Sequence, residues 1–327
     1  LFGSGPRALD VVPPDAGKLS GFRIRPEDDG TPSQIPAPLV VNAAGAWADR
    51  LQSNQTTGDT MHIRPLRGSH LVLPWSCLPV SCSVSLFHPE DGRPVFAFPW
   101  LGTTVLGTTD IDHDGDLDQE PVISEAETAY LLEVASRLFP GSPIARKDIL
   151  STWAGVRPVV TDGTGKAPSK ENREHELRVD RGLVSIAGGK LTTFRLIALD
   201  ALCAAGLLAP REARRARRSN APLFRPLPEA PEQVDQFLHG VQDDEALLRW
   251  MLTHEAVVHL DDLLLRRTRL GLLRRDGGAG LAERLRALTG ELLGWDGPRW
   301  DQEWARYEDI RERFYGVPPA DRDRAAA

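Results

Sequence analysis

The stretch of sequence that decides the fold spans residues 38–51 and reads Pro-Leu-Val-Val-Asn-Ala-Ala-Gly-Ala-Trp-Ala-Asp-Arg-Leu. Its apolar start predicts a short strand, its run of small residues predicts a tight turn, and its end is compatible with the start of a helix. In α/β folds such a strand–turn–helix junction is where cofactors are held. We therefore predict an α/β fold with a cofactor site near this junction.

After the junction the pattern changes to short β-rich runs. These runs predict strands at residues 70–74, 80–87, 94–100 and 103–109. The last two strands flank Leu101-Gly102, which is a hairpin signal. We expect an antiparallel sheet here, and strand signals return at residues 149–160.

Ser124 and Glu127 have the spacing of a capping box, which predicts a helix from this point to about Leu138. The first 37 residues are rich in Pro, Gly and Asp and show no sustained periodicity. They are therefore predicted to form loop or an irregular hairpin.

A second hairpin is predicted at Asp180-Arg181-Gly182, between strands at residues 177–179 and 183–187. Gly188-Gly189 then leads into an apolar helix over residues 192–208. After residue 209 the sequence is first charged, over residues 211–218, and then holds four prolines within residues 219–231. Everything beyond is helical in pattern, and one amphipathic face is marked by Leu281, Leu285, Leu288 and Leu292.

Composition excludes several classes of protein. The chain has 327 residues, of which 41% are hydrophobic, with 39 Lys and Arg against 46 Asp and Glu and a net charge of −7. It is long and apolar enough for two or three domains, and it lacks the dense basic face that nucleic-acid binding requires. The most apolar stretch, residues 196–209, is shorter than the roughly 20 residues of a membrane span. The 3 Cys and 8 His show no metal-ligand spacing, so we expect no metal site.

Three segments carry a resemblance to a known family. They are residues 41–47 (Val-Asn-Ala-Ala-Gly-Ala-Trp), 151–158 (Ser-Thr-Trp-Ala-Gly-Val-Arg-Pro) and 187–195 (Ala-Gly-Gly-Lys-Leu-Thr-Thr-Phe-Arg). With Arg-Gly-Ser-His at 67–70 and Gly-Thr-Thr-Asp at 107–110 between them, the chain resembles the FAD-dependent glycerol-3-phosphate dehydrogenases. These enzymes belong to the D-amino-acid-oxidase-like flavoproteins. Residues 262–271 and 293–296 look like the C-terminal helical domain of that family.

The resemblance implies a partial FAD-binding Rossmann-like domain, an inserted antiparallel β-sheet substrate domain and a C-terminal α-helical domain. The corresponding ranges are residues 1–61 with 161–200, residues 62–160 and residues 201–327. Members of the family begin with a strand, a Gly-rich turn and a helix that bind the FAD pyrophosphate. We expect this N-terminal part to be missing from the chain.

The resemblance also implies where FAD is held. Gly188-Gly189 lies between a strand and a helix, so the backbone can approach a flat ring closely. The partial positive charge of the helix N-terminus there would stabilise the anionic reduced flavin. The predicted cofactor-binding residues are Asn42, Ala43, Ala44, Gly45, Gly188, Gly189, Lys190, Leu191 and Thr192.

A phosphate-bearing substrate calls for guanidinium groups, which match phosphate oxygens two at a time. By resemblance, Arg157 and Arg173 are the phosphate-binding arginines, and the Thr108 hydroxyl contacts the substrate. Arg157 and Lys190 are the predicted catalytic residues. Lys190 is the best visible candidate for the general base, which stays unassigned. His70 is either a polar contact of the site or structural.

The implied reaction is the oxidation of sn-glycerol 3-phosphate to dihydroxyacetone phosphate, with hydride transfer to flavin N5 and electron transfer to a membrane quinone. Three alternatives remain open. The acceptor could be oxygen, as in the related oxidase. The chain could belong to another flavin enzyme that acts on an amino or hydroxy acid. It could also be an inactive fragment or an interaction module.

Arg211, Arg214, Arg215, Arg217 and Arg218 form a local basic cluster. The cluster is either a solvated helix end or a contact with anionic lipid headgroups. The expected location is cytoplasmic and peripheral, on the inner face of the cytoplasmic membrane. The oligomeric state is left open.

Overall fold

The computed structural model describes residues 7–12, 21–25, 31–53, 61–138, 140–141, 144–161, 174–219, 221 and 243–319. The described strands form three sheets, and helices dominate after residue 190. Among the described residues, no helix combines the length and the apolar character needed to cross a membrane.

The predicted strand–turn–helix junction is confirmed. Strand β4 (Val40–Asn42) is followed by a 3₁₀ turn (Gly45–Trp47) and helix α1 (Ala48–Ser53). Strand β4 runs parallel to β12 (Leu183–Gly188), which forms the predicted hairpin with β11 (His175–Asp180). The order in this sheet is β11-β12-β4.

The predicted antiparallel sheet is also confirmed. Its strand order is β10-β5-β8-β7-β6, with the short strand β9 paired to β5. The bounds are β5 Ile63–Pro74, β6 Val84–Phe87, β7 Pro94–Trp100, β8 Thr103–Gly107, β9 Ile111–Asp112 and β10 Ser151–Val160. Helix α2 (Glu125–Leu138) buries Leu131, Val134 and Ala135 in a core shared with β5, β7 and β8.

The register of this sheet pairs two residues of β5 with glycines of its neighbouring strands. Gly68 of β5 pairs with Gly155 of β10, and His70 of β5 pairs with Gly107 of β8. Because alternate residues of a strand face opposite sides, Gly68 and His70 share one face of β5, while Arg67 and Ser69 face the other side.

The C-terminal part is helical, as predicted. Its elements are α3 (Phe194–Ala204), α4 (Pro210–Arg217), α5 (Glu245–His254), a π-helical segment (Asp262–Arg267), α6 (Leu270–Leu273), α7 (Ala282–Leu293) and α8 (Gly297–Tyr315). Leu281, Leu285 and Leu288 lie in the buried core and Leu292 packs against it, which confirms the predicted amphipathic face.

The helical part is joined to the antiparallel sheet by hydrogen bonds. Ser151 Oγ donates to the Leu272 carbonyl at 2.7 Å, and Thr152 Oγ1 donates to the Gly316 carbonyl at 2.8 Å. The Tyr315 hydroxyl donates to the Glu120 carboxylate, in the loop that follows β9. The end of α8 is therefore fixed against the sheet region.

Two regions differ in part from the prediction. The first 37 residues, predicted as loop or an irregular hairpin, contain such a hairpin, in which β1 (Arg7–Val12) and β2 (Gly21–Arg25) pair antiparallel with a shift in register. A third strand that was not predicted, β3 (Ser33–Pro36), pairs with β2. The alternation in Phe-Arg-Ile-Arg of β2 is too short to stand out among Pro and Gly. The helix predicted to reach residue 208 ends at Ala204, because Gly206 adopts a φ of +71°.

Candidate active site

Arg157 extends from β10 across the surface of β5. A Cβ atom added to Gly68 would lie 2.2 Å from Nη2 and 2.3 Å from Nη1 of Arg157. The guanidinium therefore rests directly on the Gly68 backbone, and a side chain at residue 68 would displace it from this position. This contact gives Gly68 a role that its sequence motif alone did not reveal.

The connection between β8 and β9 orients this guanidinium. Arg157 Nη2 donates to Thr108 Oγ1 at 2.9 Å. Its Nη1 donates to the Thr109 carbonyl at 3.4 Å and to Asp110 Oδ1 at 3.3 Å. The structure thus brings together two predicted site residues, Arg157 and Thr108, and adds Asp110, which sequence reasoning missed. The Arg157 side chain remains 32% exposed, so a ligand can reach it.

His70 lies on the same face of β5 as Gly68. Its ring stacks on Trp153 at a centroid distance of 3.8 Å and covers Gly107, where a Cβ would come within 2.3 Å of the ring. Burial first, and then the charge of Arg157, lower the pKa of His70 to about 3. The imidazole is therefore neutral at neutral pH, and its buried Nδ1 has no hydrogen-bond partner among the described residues.

Glu127 lies behind β5, on the side away from Arg157. Its capping box is confirmed, because the Ser124 amide donates to Oε2 at 2.9 Å and the Glu127 amide donates to Ser124 Oγ at 3.1 Å. The same carboxylate also accepts hydrogen bonds from Arg67 Nη2 at 2.7 Å, Ser69 Oγ at 2.7 Å and Thr109 Oγ1 at 2.6 Å. Sequence reasoning found the cap and missed the network, although the polar residues at 67 and 69 are its signal.

Burial on its own would raise the pKa of the Glu127 carboxyl group. The hydrogen bonds from Thr109, Ser124 and Ser69 outweigh burial, and the charge of Arg67 acts in the same direction, so the pKa lies below its usual value. Glu127 is therefore a buried carboxylate that stays ionised at neutral pH.

A cavity of about 460 Å³ lies between the turn after β4 and strand β10. Its lining includes Gly45, Trp47 and Gly155, together with the loop at residues 117–121. A Cβ added to Gly45 or to Gly155 would meet no atom within 4 Å, so both glycines face open space. Asp118 connects this loop to the turn after β4 and to α1, because it accepts hydrogen bonds from Trp47 Nε1 at 2.9 Å and Arg50 Nη1 at 3.1 Å.

Asn42 serves the turn itself. It is buried, and its Nδ2 donates to the Ala48 carbonyl at 2.7 Å and to Ser185 Oγ at 3.2 Å. Its Oδ1 accepts from the Ala44 amide at 3.2 Å. The side chain therefore shapes the turn from inside, while Ala43 is exposed and Gly45 takes a φ of +61°.

Gly188 and Gly189 both adopt positive φ, +74° and +79°. A Cβ on Gly188 would lie 2.6 Å from the Glu174 carbonyl oxygen, and one on Gly189 would lie 2.6 Å from Ile197 Cδ1. Both the conformation and the close neighbours therefore require glycine. The pair leads into a 3₁₀ turn (Leu191–Thr193) that continues as α3.

Lys190 lines a second cavity, also of about 460 Å³, with Glu174, His175 and Thr193 among its neighbours. Lys190 and Thr192 are exposed, and Leu191 is 87% exposed. Of the residues predicted to bind the cofactor, Gly189 and Lys190 thus line a different cavity from the one beside β10. Arg173 lies outside the described residues.

Comparison with known protein families gives two matches. Residues 10–195 match the family described as FAD dependent oxidoreductase. Residues 221–299 match the C-terminal domain of alpha-glycerophosphate oxidase. The two matches cover most of the chain in the order expected from its sequence motifs.

Curated relatives are similar over different parts of the chain. It is 34% identical over 195 residues to the aerobic glycerol-3-phosphate dehydrogenase of Staphylococcus haemolyticus, covering 59% of this chain and 35% of the relative. It is 28% identical over 335 residues to the glycerol-3-phosphate dehydrogenase of Mycobacterium leprae, covering 90% of this chain and 56% of the relative. The chain thus spans between about a third and just over half of the length of these relatives.

Among solved structures, the glycerol-3-phosphate dehydrogenase from Bacillus halodurans complexed with FAD is similar at a TM-score of 0.71 and 23% identity. The match covers 96% of this chain and 69% of that chain. It shows a shared fold, and the predicted fold class is confirmed.

Proposed function

We propose that this chain, which belongs to the FAD dependent oxidoreductase family, binds sn-glycerol 3-phosphate and takes part in its oxidation to dihydroxyacetone phosphate. The family resemblance predicted from the sequence is confirmed by the match over residues 10–195. The names of the relatives and the match of residues 221–299 support the choice of substrate. The observation that carries the proposal is the Arg157 guanidinium, oriented over Gly68 by Thr108 and Asp110.

Arg157 would recognise the phosphate group of the substrate. A planar guanidinium offers donors in a fixed fork, and the exposed part of this side chain lets phosphate oxygens approach. The Thr108 hydroxyl, which accepts from Arg157, is a further proposed contact with the substrate. Arg173 stays a proposed second phosphate ligand on the strength of its sequence position.

Two side chains are candidates for accepting the proton of the C2 hydroxyl. Lys190 is the candidate from the sequence. His70 lies beside Arg157, but its pKa of about 3 makes the imidazole a weak base, so Lys190 stays the proposed proton acceptor.

The cavity beside β10 is the proposed place of the flavin ring, and the open space that Gly45 and Gly155 leave on its walls supports this assignment. When bound, the flavin of FAD supplies the acceptor for the hydride from C2. The turn after β4 would hold the cofactor from one side, and Gly188, Gly189, Lys190, Leu191 and Thr192 are the proposed contacts at the start of α3. Asn42 would act indirectly, by fixing the turn.

We propose the three domains that the sequence suggests, with the sheet of β5 to β10 as the substrate-binding part and with one boundary moved. Residue 201 lies inside α3, where Ala201 packs with Val184 and Ile186 of β12. This contact favours placing the start of the helical domain after α3.

A membrane quinone is the proposed electron acceptor, with oxygen as the alternative. The exposed arginines Arg211, Arg214, Arg215 and Arg218 on and after α4 support a peripheral contact with anionic lipid, while Arg217 is paired with Asp200. Sedimentation with anionic vesicles that weakens as salt rises is the expected result, and binding to neutral vesicles that is indifferent to salt would contradict it.

The proposed substrate is tested by replacing Arg157. In the chain loaded with FAD, Arg157→Ala should lower kcat/KM for glycerol 3-phosphate about a hundredfold, or roughly 3 kcal/mol, because the phosphate loses its guanidinium. Arg178→Ala is the matched control, since Arg178 lies on β11 and pairs with Glu176. An unchanged KM in Arg157→Ala would mean that the substrate carries no phosphate at this site.

A further inference from the structure

Glu127 carries more interactions than a helix cap requires. A capping box uses one carboxylate oxygen, and here the Ser124 amide bonds Oε2. The other oxygen, Oε1, accepts hydrogen bonds from both Ser69 and Thr109. The side chain is only 4% exposed, and burying a carboxylate is costly unless its partners compensate. Capping alone therefore does not explain this arrangement.

Thr109 connects the Glu127 carboxylate to Arg157. Its hydroxyl donates to Glu127 at 2.6 Å and accepts from the Ser69 amide at 2.9 Å, so both hydrogen-bonding roles of the hydroxyl are filled. The Thr109 carbonyl accepts from Arg157, and the neighbouring residues Thr108 and Asp110 also accept hydrogen bonds from that guanidinium. Glu127 thus fixes Thr109, the middle one of the three residues that accept hydrogen bonds from Arg157.

Ser69 makes the second connection. Its hydroxyl donates to Glu127 at 2.7 Å, and the preceding residue is Gly68, on which the Arg157 guanidinium rests. One carboxylate therefore fixes both the strand that lies under Arg157 and the segment that accepts its hydrogen bonds.

We propose that Glu127 is a positioning residue for phosphate recognition, which holds the Arg157 guanidinium in place through Thr109 and Ser69. The inference rests on the proposed function, in which Arg157 binds the phosphate of the substrate. Glu127 itself lies on the opposite side of β5 and acts only through these two residues.

Glutamine in place of Glu127 keeps the shape of the side chain but removes the charge and one acceptor. Calorimetric titration of the chain with glycerol 3-phosphate should show an affinity about tenfold weaker in Glu127→Gln, as expected when a charged hydrogen-bond partner is lost. Glu133→Gln is the matched control, because Glu133 lies on the same helix, is 38% exposed and pairs with Arg137. It should bind as the unaltered chain does.

Thr109 gives an independent test if Glu127→Gln does not fold. Thr109→Ser keeps the hydroxyl and should retain the affinity, whereas Thr109→Val removes it and should weaken binding about as much as Glu127→Gln. Equal affinities in Thr109→Ser and Thr109→Val would overturn the proposed route through this hydroxyl.

Coupling to Arg157 separates positioning from a general structural role. Arg157→Lys keeps a charge, so binding stays measurable, but it loses the fork that Thr109 and its neighbours orient. Adding Glu127→Gln to Arg157→Lys should therefore weaken binding much less than Glu127→Gln does alone. When the Glu127→Gln variant is loaded with FAD, its KM for glycerol 3-phosphate should rise while its kcat changes less than about twofold.

Different failures identify different errors. Additive effects of Glu127→Gln and Arg157→Lys, or unchanged affinity in Glu127→Gln, would overturn the positioning role alone. Unchanged affinity in Arg157→Ala would overturn the proposed function, and the positioning role with it.

Discussion

Buried carboxylates occur in two regions of this protein and are used differently. In the antiparallel sheet, Glu127 connects a helix cap to the residues around Arg157. In the helical part, Asp261 is 2% exposed and pairs with Arg266 of the π-helical segment and with Arg306 of α8. Burial would raise the pKa of Asp261, but the hydrogen bond and charge of Arg266, with the charge of Arg306, hold it below its usual value.

Glu303 of α8 repeats the pattern found at Asp261. Its Oε1 lies 2.9 Å from His259 Nδ1 and 2.8 Å from Arg299, and its Oε2 accepts from the Leu260 amide at 3.0 Å. All these partners lie within the helical part. The comparison teaches that a buried charge can fix the packing of helices in one region and the geometry of a binding site in another, with the same chemistry.

The helical side of the comparison predicts a large effect on stability. Asp261→Ala should lower the free energy of unfolding by about 3 kcal/mol, because Arg306 loses its buried partner and Arg266 loses one of its acidic partners while keeping Asp262. Chemical denaturation measures this loss. The affinity for glycerol 3-phosphate at a temperature where the variant is folded should stay unchanged, and a parallel loss of affinity would remove the distinction between the two regions.

The sheet side predicts a smaller effect that falls on binding. Gly68→Ala places a Cβ 2.2 Å from the Arg157 guanidinium, which must move. We expect kcat/KM for glycerol 3-phosphate to fall about tenfold, or 1.4 kcal/mol, with little change in Tm. Gly141→Ala is a suitable control, since its added Cβ meets no atom within 4 Å. Equal effects of the two substitutions would contradict the contact between Gly68 and Arg157.

The third prediction concerns acid and the titration of His70. The pKa of His70 is about 3 in the folded chain and 6.5 in the unfolded chain, so below pH 6.5 the unfolded chain takes up a proton that the folded chain does not. Folding stability should therefore fall as pH drops from 6.5 towards 3, by at most about 1.4 kcal/mol per pH unit from this residue.

His70→Phe keeps a ring against Trp153 and removes this titration. Its stability curve between pH 6.5 and 4 should be flatter than that of the unaltered chain, as measured by urea unfolding at each pH. Parallel curves for the two proteins would show that His70 titrates normally.

Local signals were sufficient to predict much of the fold. Two hairpins, at Leu101-Gly102 and at Asp180-Arg181-Gly182, were predicted from turn residues. In the structure the φ angles of Leu101 and Gly102 are positive in the first turn, and those of Arg181 and Gly182 are positive in the second. The capping box of Ser124 and Glu127 was likewise predicted from a spacing of three residues. Each of these features depends on neighbours in the sequence.

The remaining features depend on register between distant strands. Gly68 lies under Arg157 because β5 pairs with β10, and His70 covers Gly107 because β5 pairs with β8. Nothing in the sequence near these residues specifies the pairing. The role of Arg157 as a site residue came from the family resemblance and stays a prediction, while its contacts with Thr108 and Asp110 came from the structure.

The hydrogen bond from Tyr315 to Glu120 has a consequence for biosynthesis. Glu120 lies in the loop that walls the cavity beside β10, and Tyr315 is at the end of α8. Ribosomes make a chain from its N-terminus, so the loop is synthesised almost two hundred residues before its anchor. The wall of the cavity can reach its final form only after α8 has left the ribosome, which couples completion of the site to completion of the helical part.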